Sequence, residues 1–264
     1  MNEKKLEFYY GAASGSSRKA LRKMEEPNVM INYATQNNKP WEGIENLFVD
    51  SGGYSFILGK GEYTTTNKEY LEYVEKHQPE LFALRDYPCE PDVLEEHDRT
   101  VEEHQEMTIE KHKELRELMK EFDIKSKPLS VIQGWEIEDY LDHIERMKEE
   151  DLITEHIGIG SICRRGQDEE IRRIILEVNK ALPDYCKIHA FGVKSNILRF
   201  AEVCEVLHSA DSMAYEYSEQ YGQRISGTKT KSFRDSTMAY LKFKKEINRM
   251  IKTQQSQRSL QEVC

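Results

Sequence analysis

Short apolar runs alternate with longer amphipathic stretches along most of the chain. Runs rich in β-branched and aromatic residues occupy positions 6–10, 29–33, 47–50, 81–86, 129–133, 156–161, 188–193 and 210–215, and several end at Gly, Asp or Ser. Their length, composition and flanking turn residues predict strands. Between them, 67–76, 92–122, 136–149, 168–181, 195–207 and 232–252 carry apolar residues three and four apart among Glu, Lys and Arg, the spacing of amphipathic helices. In the last of these, Met238, Leu241, Phe243, Ile247 and Ile251 read as the inward stripe. The 92–122 stretch is longer than a crossover needs, which points to a break or an insertion within it. No internal repeat or low-complexity segment interrupts the alternation.

Strands alternating with helices eight times over a length of about 250 residues predict an α/β fold, a single-domain (β/α)8 TIM barrel. The barrel is assigned to 1–252 and a fraying polar tail to 253–264. An open doubly wound sheet is the alternative, but no Gly-rich phosphate loop follows a strand. At 33% charged and 38% hydrophobic the chain is polar, yet its 14 Tyr, 9 Phe and 2 Trp supply material for a core and set it apart from disordered sequences. No apolar run approaches the roughly 18 residues of a membrane helix, and the opening MNEKKLEFYY lacks the apolar centre of a secretion signal. The 5 cysteines form no CxxC, which argues for reduced thiols and against a disulfide framework or zinc knuckle. These features predict a cytoplasmic protein with no membrane partner. The net charge of −10 disfavours a general nucleic-acid coat protein but leaves room for a local basic face.

In barrels of this kind the chemistry sits at the C-terminal ends of the strands. Those ends carry Asp50-Ser51-Gly52-Gly53-Tyr54, Arg85-Asp86-Tyr87-Pro88, Gln133-Gly134, Gly158-Ile159-Gly160-Ser161, Phe191-Gly192 and Asp211-Ser212. An Asp at a strand end commonly caps the next helix, a role that Asp92 after Pro91 and Asp168 fit well. Asp50, Asp86 and Asp211 each follow an apolar strand and precede a turn, so they are either three caps or one shared carboxylate site. Gly52-Gly53 marks either a close backbone approach or a plain tight turn. His97, His104 and His112 fall seven and eight apart, not at the spacing of four typical of helical metal ligands, and read as a solvated face. His189 reads as packed or hydrogen-bonded inside the barrel.

Taken in order, DSGGY (50–54), VIQG (131–134), GIGS (158–161), HAFGV (189–193) and DS (211–212) resemble the motifs of the tRNA-guanine transglycosylase superfamily, which read DSGGF/Y, VQGG, GLxVG, HxxGVG and a late Asp. The likeness runs from about residue 47 to 228, the greater part of the chain. That family exchanges guanine in a polynucleotide for a 7-deazaguanine through a covalent enzyme–ribose intermediate. The resemblance implies Asp211 as the nucleophile at C1′ and Asp50 as the acid/base on the departing and incoming bases. It implies Asp86 and Gln133 as readers of the polar edge, the Gly160 amide near the carbonyl oxygen of the base, and Tyr54 and Phe191 as a sandwich for the ring. Ser51 is a further expected substrate contact. Phe191 stands where several relatives have Met, and either can stack.

The chemistry independently wants such groups. Breaking an N-glycosidic bond passes through an oxocarbenium-like state that a carboxylate can stabilise and capture, and a purine leaves poorly unless an acid protonates it. An acceptor-only carboxylate such as Asp86 pairs with the N–H donors of guanine, whereas adenine offers a different edge.

The departures narrow the reading. The CxCxxC…H zinc site of the tRNA enzymes is missing after Asp211, as is the Pro-Thr-Arg run near the nucleophile. A zinc-free chain resembles the branch that inserts 7-deazaguanines such as preQ0 into DNA. The implied partners are therefore DNA, with tRNA as the alternative polymer, and a free 7-deazaguanine base. No metal or organic cofactor is implied, and a helper protein or a homodimer is the further partner expectation. A non-catalytic, nucleic-acid-binding partner subunit is the alternative to an enzyme. Arg164, Arg165, Lys194, Arg224, Lys229, Lys231 and Arg234 follow the sixth to eighth strands. They are either a rim that holds phosphates or ordinary solvated charges. Ser161 and Ser212 are candidates to touch sugar or phosphate.

Overall fold

The computed structural model describes residues 6–35, 41, 44–217 and 232–261. Eight strands, β1 (Glu7–Gly11), β2 (Asn28–Asn32), β3 (Asn46–Asp50), β4 (Leu81–Ala83), β5 (Lys127–Ile132), β6 (His156–Ile159), β7 (Lys187–Ala190) and β8 (Leu207–Ser212), pair in sequence order into a closed barrel. Every pairing is parallel, including the closing one, where Tyr9 lies beside Asp211 and Tyr10 beside Ser212. The expected (β/α)8 barrel is the observed architecture.

Side chains alternate across the strands because successive Cβ atoms point to opposite faces. On β1, Phe8 and Tyr10 join the layer between strands and helices, while Tyr9 points inward. On β3, Leu47 and Val49 face the helices and Phe48 the interior. Tyr9, Met30, Phe48, Leu81, Ala83, Leu129 and Val131 fill the barrel, with Phe191 packed on top of them. Because both faces of each strand are covered, the strands read in the sequence as nearly continuous apolar runs.

The helices are α1 (Gly15–Lys23), α2 (Gly53–Lys60), α3 (Asn67–His77), α4 (Pro91–Glu96), α5 (Val101–Leu118), α6 (Ile137–Glu149), α7 (Asp168–Ala181), α8 (Ala201–Val206), α9 (Ala214–Tyr217) and α10 (Phe233–Gln261). Three of them, α1, α2 and α9, are absent from the pattern-based reading, which ran its last strand over 210–215 where β8 ends at Ser212 and α9 follows. The Gly-rich start and weak amphipathicity of GYSFILGK hide α2, and α1 is short. The long 92–122 stretch does break. Asp98 takes a left-handed φ of 48°, and Thr100 then opens α5 with a capping box, its hydroxyl accepting the Glu103 N–H while the Glu103 carboxylate accepts the Thr100 N–H.

Three readings need correction. The inward face of α10 is Ala239, Tyr240, Phe243, Ile247, Met250 and Ile251, whereas Met238 and Leu241 are exposed. The helix also continues to Gln261 rather than giving way to a tail at Thr253, since no Gly or Pro interrupts it and extending a formed helix costs little. His104 and His112 are buried in the wall between α5 and its neighbours, not solvated. The His104 Nδ1 lies 2.7 Å from the Pro88 carbonyl oxygen, and burial pushes the His112 imidazole down to about 3. Glu and Lys dominate α5, so its buried polar positions do not stand out by composition.

Candidate active site

A cavity of about 480 Å³ opens at the C-terminal end of the strands, a size typical of small-ligand sites. Asp50, Tyr54, Asp86, Glu90, Gln133, Gly160, Ser161, Phe191, Lys194, Asp211 and Ser212 are among its lining residues. The three strand-end aspartates thus share one site, contributed by β3, β4 and β8.

Asp211 stands near the end of β8 and is 1% exposed. Its Oδ1 accepts the Gly192 N–H at 2.7 Å and lies 3.2 Å from His189 Nε2. Gly192 supplies that donor from a left-handed φ of 59°, a conformation that disfavours other residues, and a Cβ there would sit 2.7 Å from the Cβ of Cys163. The other ring nitrogen of His189 is 2.8 Å from the Ser209 hydroxyl. An ionised Asp211 can only accept, so His189 carries its hydrogen on Nε2 and receives the Ser209 O–H on Nδ1. His189 is therefore the link that holds Asp211, a role closer to the chemistry than packing alone. The second oxygen of Asp211 has no hydrogen-bond partner among the described residues.

Asp50 ends β3 directly beside Asn32 of β2, and its Oδ2 accepts the Asn32 side-chain N–H at 2.8 Å. Asn32 is fixed in turn by the Ala34 N–H on its own carbonyl at 2.9 Å. Loss of hydration, reinforced by the neighbouring Asp86 charge, pushes the Asp50 carboxyl up to about 7, against the opposing pull of its hydrogen bonds to Gly52 and Asn32. Asn32 gave no sequence signal, because an Asn at a strand end reads as a turn residue.

Asp86 follows the short β4 in an irregular, buried segment. Its Oδ1 accepts the Ser51 hydroxyl at 3.0 Å and its Oδ2 accepts an N–H of the Gln133 amide. Tyr63 clamps the same residue, accepting its N–H at 3.0 Å and donating to its carbonyl at 2.8 Å. Burial pushes Asp86 up to about 6, against the pull of Gln133 and Ser51. Gly53 makes room for it, since a Cβ there would lie 2.9 Å from the Asp86 carbonyl oxygen. The paired glycines at 52 and 53 therefore serve both open readings: Gly52 turns with φ 81°, and Gly53 permits close approach.

Two expected substrate contacts have other employment. The Ser51 side chain is fully buried and holds Asp86 rather than lining the cavity. The Gly160 N–H donates to the Ile132 carbonyl at 2.9 Å, continuing the ladder between β5 and β6, and its own carbonyl accepts the Tyr140 hydroxyl at 2.9 Å. Its amide is thus spent on the fold. What Gly160 contributes is space, because a Cβ would sit 2.3 Å from Gln133 Nε2. Gly158 does the same for Phe191, whose ring would lie 2.3 Å from a Cβ.

At the rim, Arg164 lies over the Tyr54 ring and pairs with Asp92 at 2.6 Å. Lys194 is exposed on the cavity edge and donates to the Arg165 carbonyl at 2.9 Å. Arg165 itself is 2% exposed, stacked on Trp135 and bonded to Glu170 and to the Trp135 carbonyl. It is a core residue and cannot meet a phosphate. Arg234 is exposed at the start of α10, and Arg224, Lys229 and Lys231 lie outside the described residues. Ser212 lines the cavity, with its hydroxyl accepting the Ala214 N–H at 3.3 Å.

Sequence reasoning passed over Glu90. It is 2% exposed, lines the cavity, and lies 2.7 Å from the Ser161 hydroxyl. A Glu before a proline at a helix start reads as a surface cap, and only the fold turns it inward. Among the described residues no group of three His, Cys, Asp or Glu side chains is placed to hold a metal ion, and no helix is long and apolar enough to cross a membrane.

The sequence model of the family described as DpdA: DeoxyPurine in DNA protein A matches residues 36–262, a span that includes Asp50, Asp86, Gln133 and Asp211. No curated protein matches the chain.

Proposed function

We propose, for a chain that belongs to the DpdA family of tRNA-guanine transglycosylase-like proteins of 7-deazaguanine DNA modification, that it replaces guanine in DNA by a 7-deazaguanine such as preQ0 through a covalent bond between Asp211 and the sugar. The observation that carries this reading is the convergence of Asp50, Asp86, Gln133 and Asp211, at or just beyond the ends of four different strands, on one cavity.

The free oxygen of Asp211 attacks C1′ of an extruded deoxyguanosine as the bond from C1′ to N9 breaks. Asp50 gives its proton to the departing base, which leaves as neutral guanine, and is itself left ionised. The incoming 7-deazaguanine then loses its N9 hydrogen to Asp50 while N9 displaces the Asp211 ester. Two inversions at C1′ keep the β configuration, and both carboxyls return to their starting states. The donors on Asp211 Oδ1 hold it as an acceptor, whereas the raised Asp50 keeps a proton to give near neutrality.

Asp86 suits the N1–H and 2-amino donors of the guanine edge. Gln133 uses one Nε2 hydrogen on Asp86, and its second is left for the carbonyl oxygen of the base. Tyr54 and Phe191 stand on the cavity as faces for the ring. Extruding a base from a duplex costs a few kcal/mol, which contacts inside the cavity must offset.

Labelled guanine incubated with duplex DNA, single-stranded DNA and bulk tRNA tests the reading. Label is expected in DNA with the wild type and absent with Asp211→Asn. A denaturation-stable protein–DNA ester, which carries the DNA sugar but no base, is expected with the wild type and lost in Asp211→Asn. Label in tRNA alone would overturn the choice of polymer, and undiminished exchange by D211N would overturn the mechanism.

A further inference from the structure

Four side chains form a buried row behind the base-reading edge: Glu90, Ser161, Gln133 and Asp86. Ser161 sits at a left-handed φ of 52°, a conformation uncommon outside glycine, which places its hydroxyl at the centre of the row. Three atoms surround that oxygen. The Cys89 N–H donates to it at 2.8 Å, Glu90 Oε2 lies at 2.7 Å and Gln133 Oε1 at 2.6 Å.

The hydrogens do not suffice unless a carboxyl supplies one. Ser161 has a single hydroxyl hydrogen, and with Gln133 Nε2 turned to Asp86 the Gln133 oxygen is an acceptor only. If Ser161 donates to Gln133, Glu90 must bring its own proton to the Ser161 oxygen. If Ser161 donates to an ionised Glu90, the Gln133 amide must rotate, turning its oxygen to Asp86, which must then carry the proton. The row thus holds one proton in either of two patterns, and only the first leaves Asp86 as an acceptor for the guanine edge.

Resting on the function proposed above, we propose that Glu90 carries this proton and so acts as a positioning residue, keeping Asp86 ionised and Gln133 turned toward it. The surroundings favour that assignment. The groups facing Glu90 are Asp86, Asp92 of α4, the Cys163 thiol 3.9 Å from Oε1, and the Cys89 thiol and Tyr140 hydroxyl. None is a cation, and no Lys or Arg pairs with Glu90 among the described residues. Burial, aided by the two aspartates, holds Glu90 up to about 7 while Asp86, with two donors, rises only to about 6. Above neutrality Glu90 ionises, claims the Ser161 hydrogen, and leaves the Gln133 oxygen without a donor.

The test is equilibrium binding of free 7-deazaguanine to the wild type, Glu90→Gln and Glu90→Ala between pH 6 and 8.5. E90Q keeps a donor to Ser161 and cannot ionise, so at pH 6 it is expected to bind within twofold of the wild type. E90A should bind roughly fivefold more weakly, the worth of about one hydrogen bond. From pH 6 to 8.5 the affinity of E90Q relative to wild type should rise by about fivefold. Titrations of Asp50 and Asp86, common to both proteins, largely cancel in that ratio. In parallel, carbon NMR of labelled carboxyls should show a resonance titrating near 7 in the wild type and missing in E90Q. A pH-independent ratio, an E90Q as impaired as a folded E90A, or a Glu90 carboxyl ionised at pH 6 overturns the proton assignment. A wild type that binds neither 7-deazaguanine nor guanine overturns the proposed function and this inference with it.

Discussion

Asp50 and Asp211 share a cavity yet are supported in opposite ways, and each support predicts a different mutant. Asp50 keeps its proton to about pH 7 because it is poorly hydrated and close to Asp86. Guanine release in a single turnover should therefore decline below about pH 6, as Asp86 gains a proton and stops accepting from the base, and fall above about pH 7. Asp50→Asn should lower it by roughly 10²–10⁴-fold and abolish that fall. Rapid-quench measurement of free guanine between pH 5.5 and 8.5 checks both. Asp211 instead depends on the Gly192 N–H and His189. Removing the imidazole donor in His189→Phe should lower the chemical step by roughly 10–100-fold, the worth of a hydrogen bond to a charged group at about 1.5–3 kcal/mol. Base affinity should stay within twofold, so a parallel loss of binding would mean that His189 does more than hold the nucleophile. The aspartates and Gln133 were legible because they stand at strand ends in recognisable motifs. Asn32 and Glu90 were not, and Ser161 was marked for sugar or phosphate rather than for its bonds to Glu90 and Gln133, because what matters about them is the partner across the barrel. A residue's own neighbours in the chain carry no trace of that.

Strands were easier to read than helices, and the reason is burial. Every strand is covered on both faces, so each appears as a run of apolar residues whichever way it faces. Helices reveal themselves only through one stripe, and where that stripe mixes with chance apolar residues the phase is ambiguous. On α10 the spacing supports two phases, one with Met238 and Leu241 inside and one with Ala239 and Tyr240. Packing selects the second, in which Tyr240 meets Tyr10 and Tyr215, while Phe243, inward in either phase, meets Phe8, Tyr10 and Tyr215. Phe243→Ala should accordingly cost about 3–5 kcal/mol. Met238→Ala, at 51% exposure, should stay within about 0.5 kcal/mol. Urea unfolding of the two variants distinguishes the phases, and equal losses would restore the first. The rim was misread for a related reason: Arg164 and Arg165 are adjacent in the chain, but one faces solvent and the other stacks on Trp135 inside the wall.

Across the whole molecule, two buried sets of titrating groups pull stability in opposite directions with pH. Asp50, Asp86 and Glu90 are raised to about 7, 6 and 7 in the folded chain. The folded state binds their protons more tightly than the unfolded chain does. Their contribution is present below the ordinary carboxylate range, near 4, and is lost as pH rises toward 7. His112 and His143 are both lowered to about 3, chiefly by burial. Their contribution is present above about 6.5 and is lost as pH falls toward 3. The two histidines differ in one respect that makes a clean experiment possible. His143 accepts the Gln133 N–H on Nδ1 at 2.9 Å and so supports the site, whereas neither ring nitrogen of His112 has a partner among the described residues. His112→Leu should therefore be more stable than the wild type by an amount that grows as pH falls, reaching about 2–4 kcal/mol near pH 4. The E90Q variant should gain in the other direction, by up to about 3 kcal/mol as pH rises from 5 to 8. Thermal melts of both variants against the wild type across that range test the pair. Advantages that run in the same direction with pH would mean that one of these groups is solvated in the native state. Crossing curves would place a buried neutral imidazole on the acid side of this barrel's stability and a buried neutral carboxyl on the alkaline side.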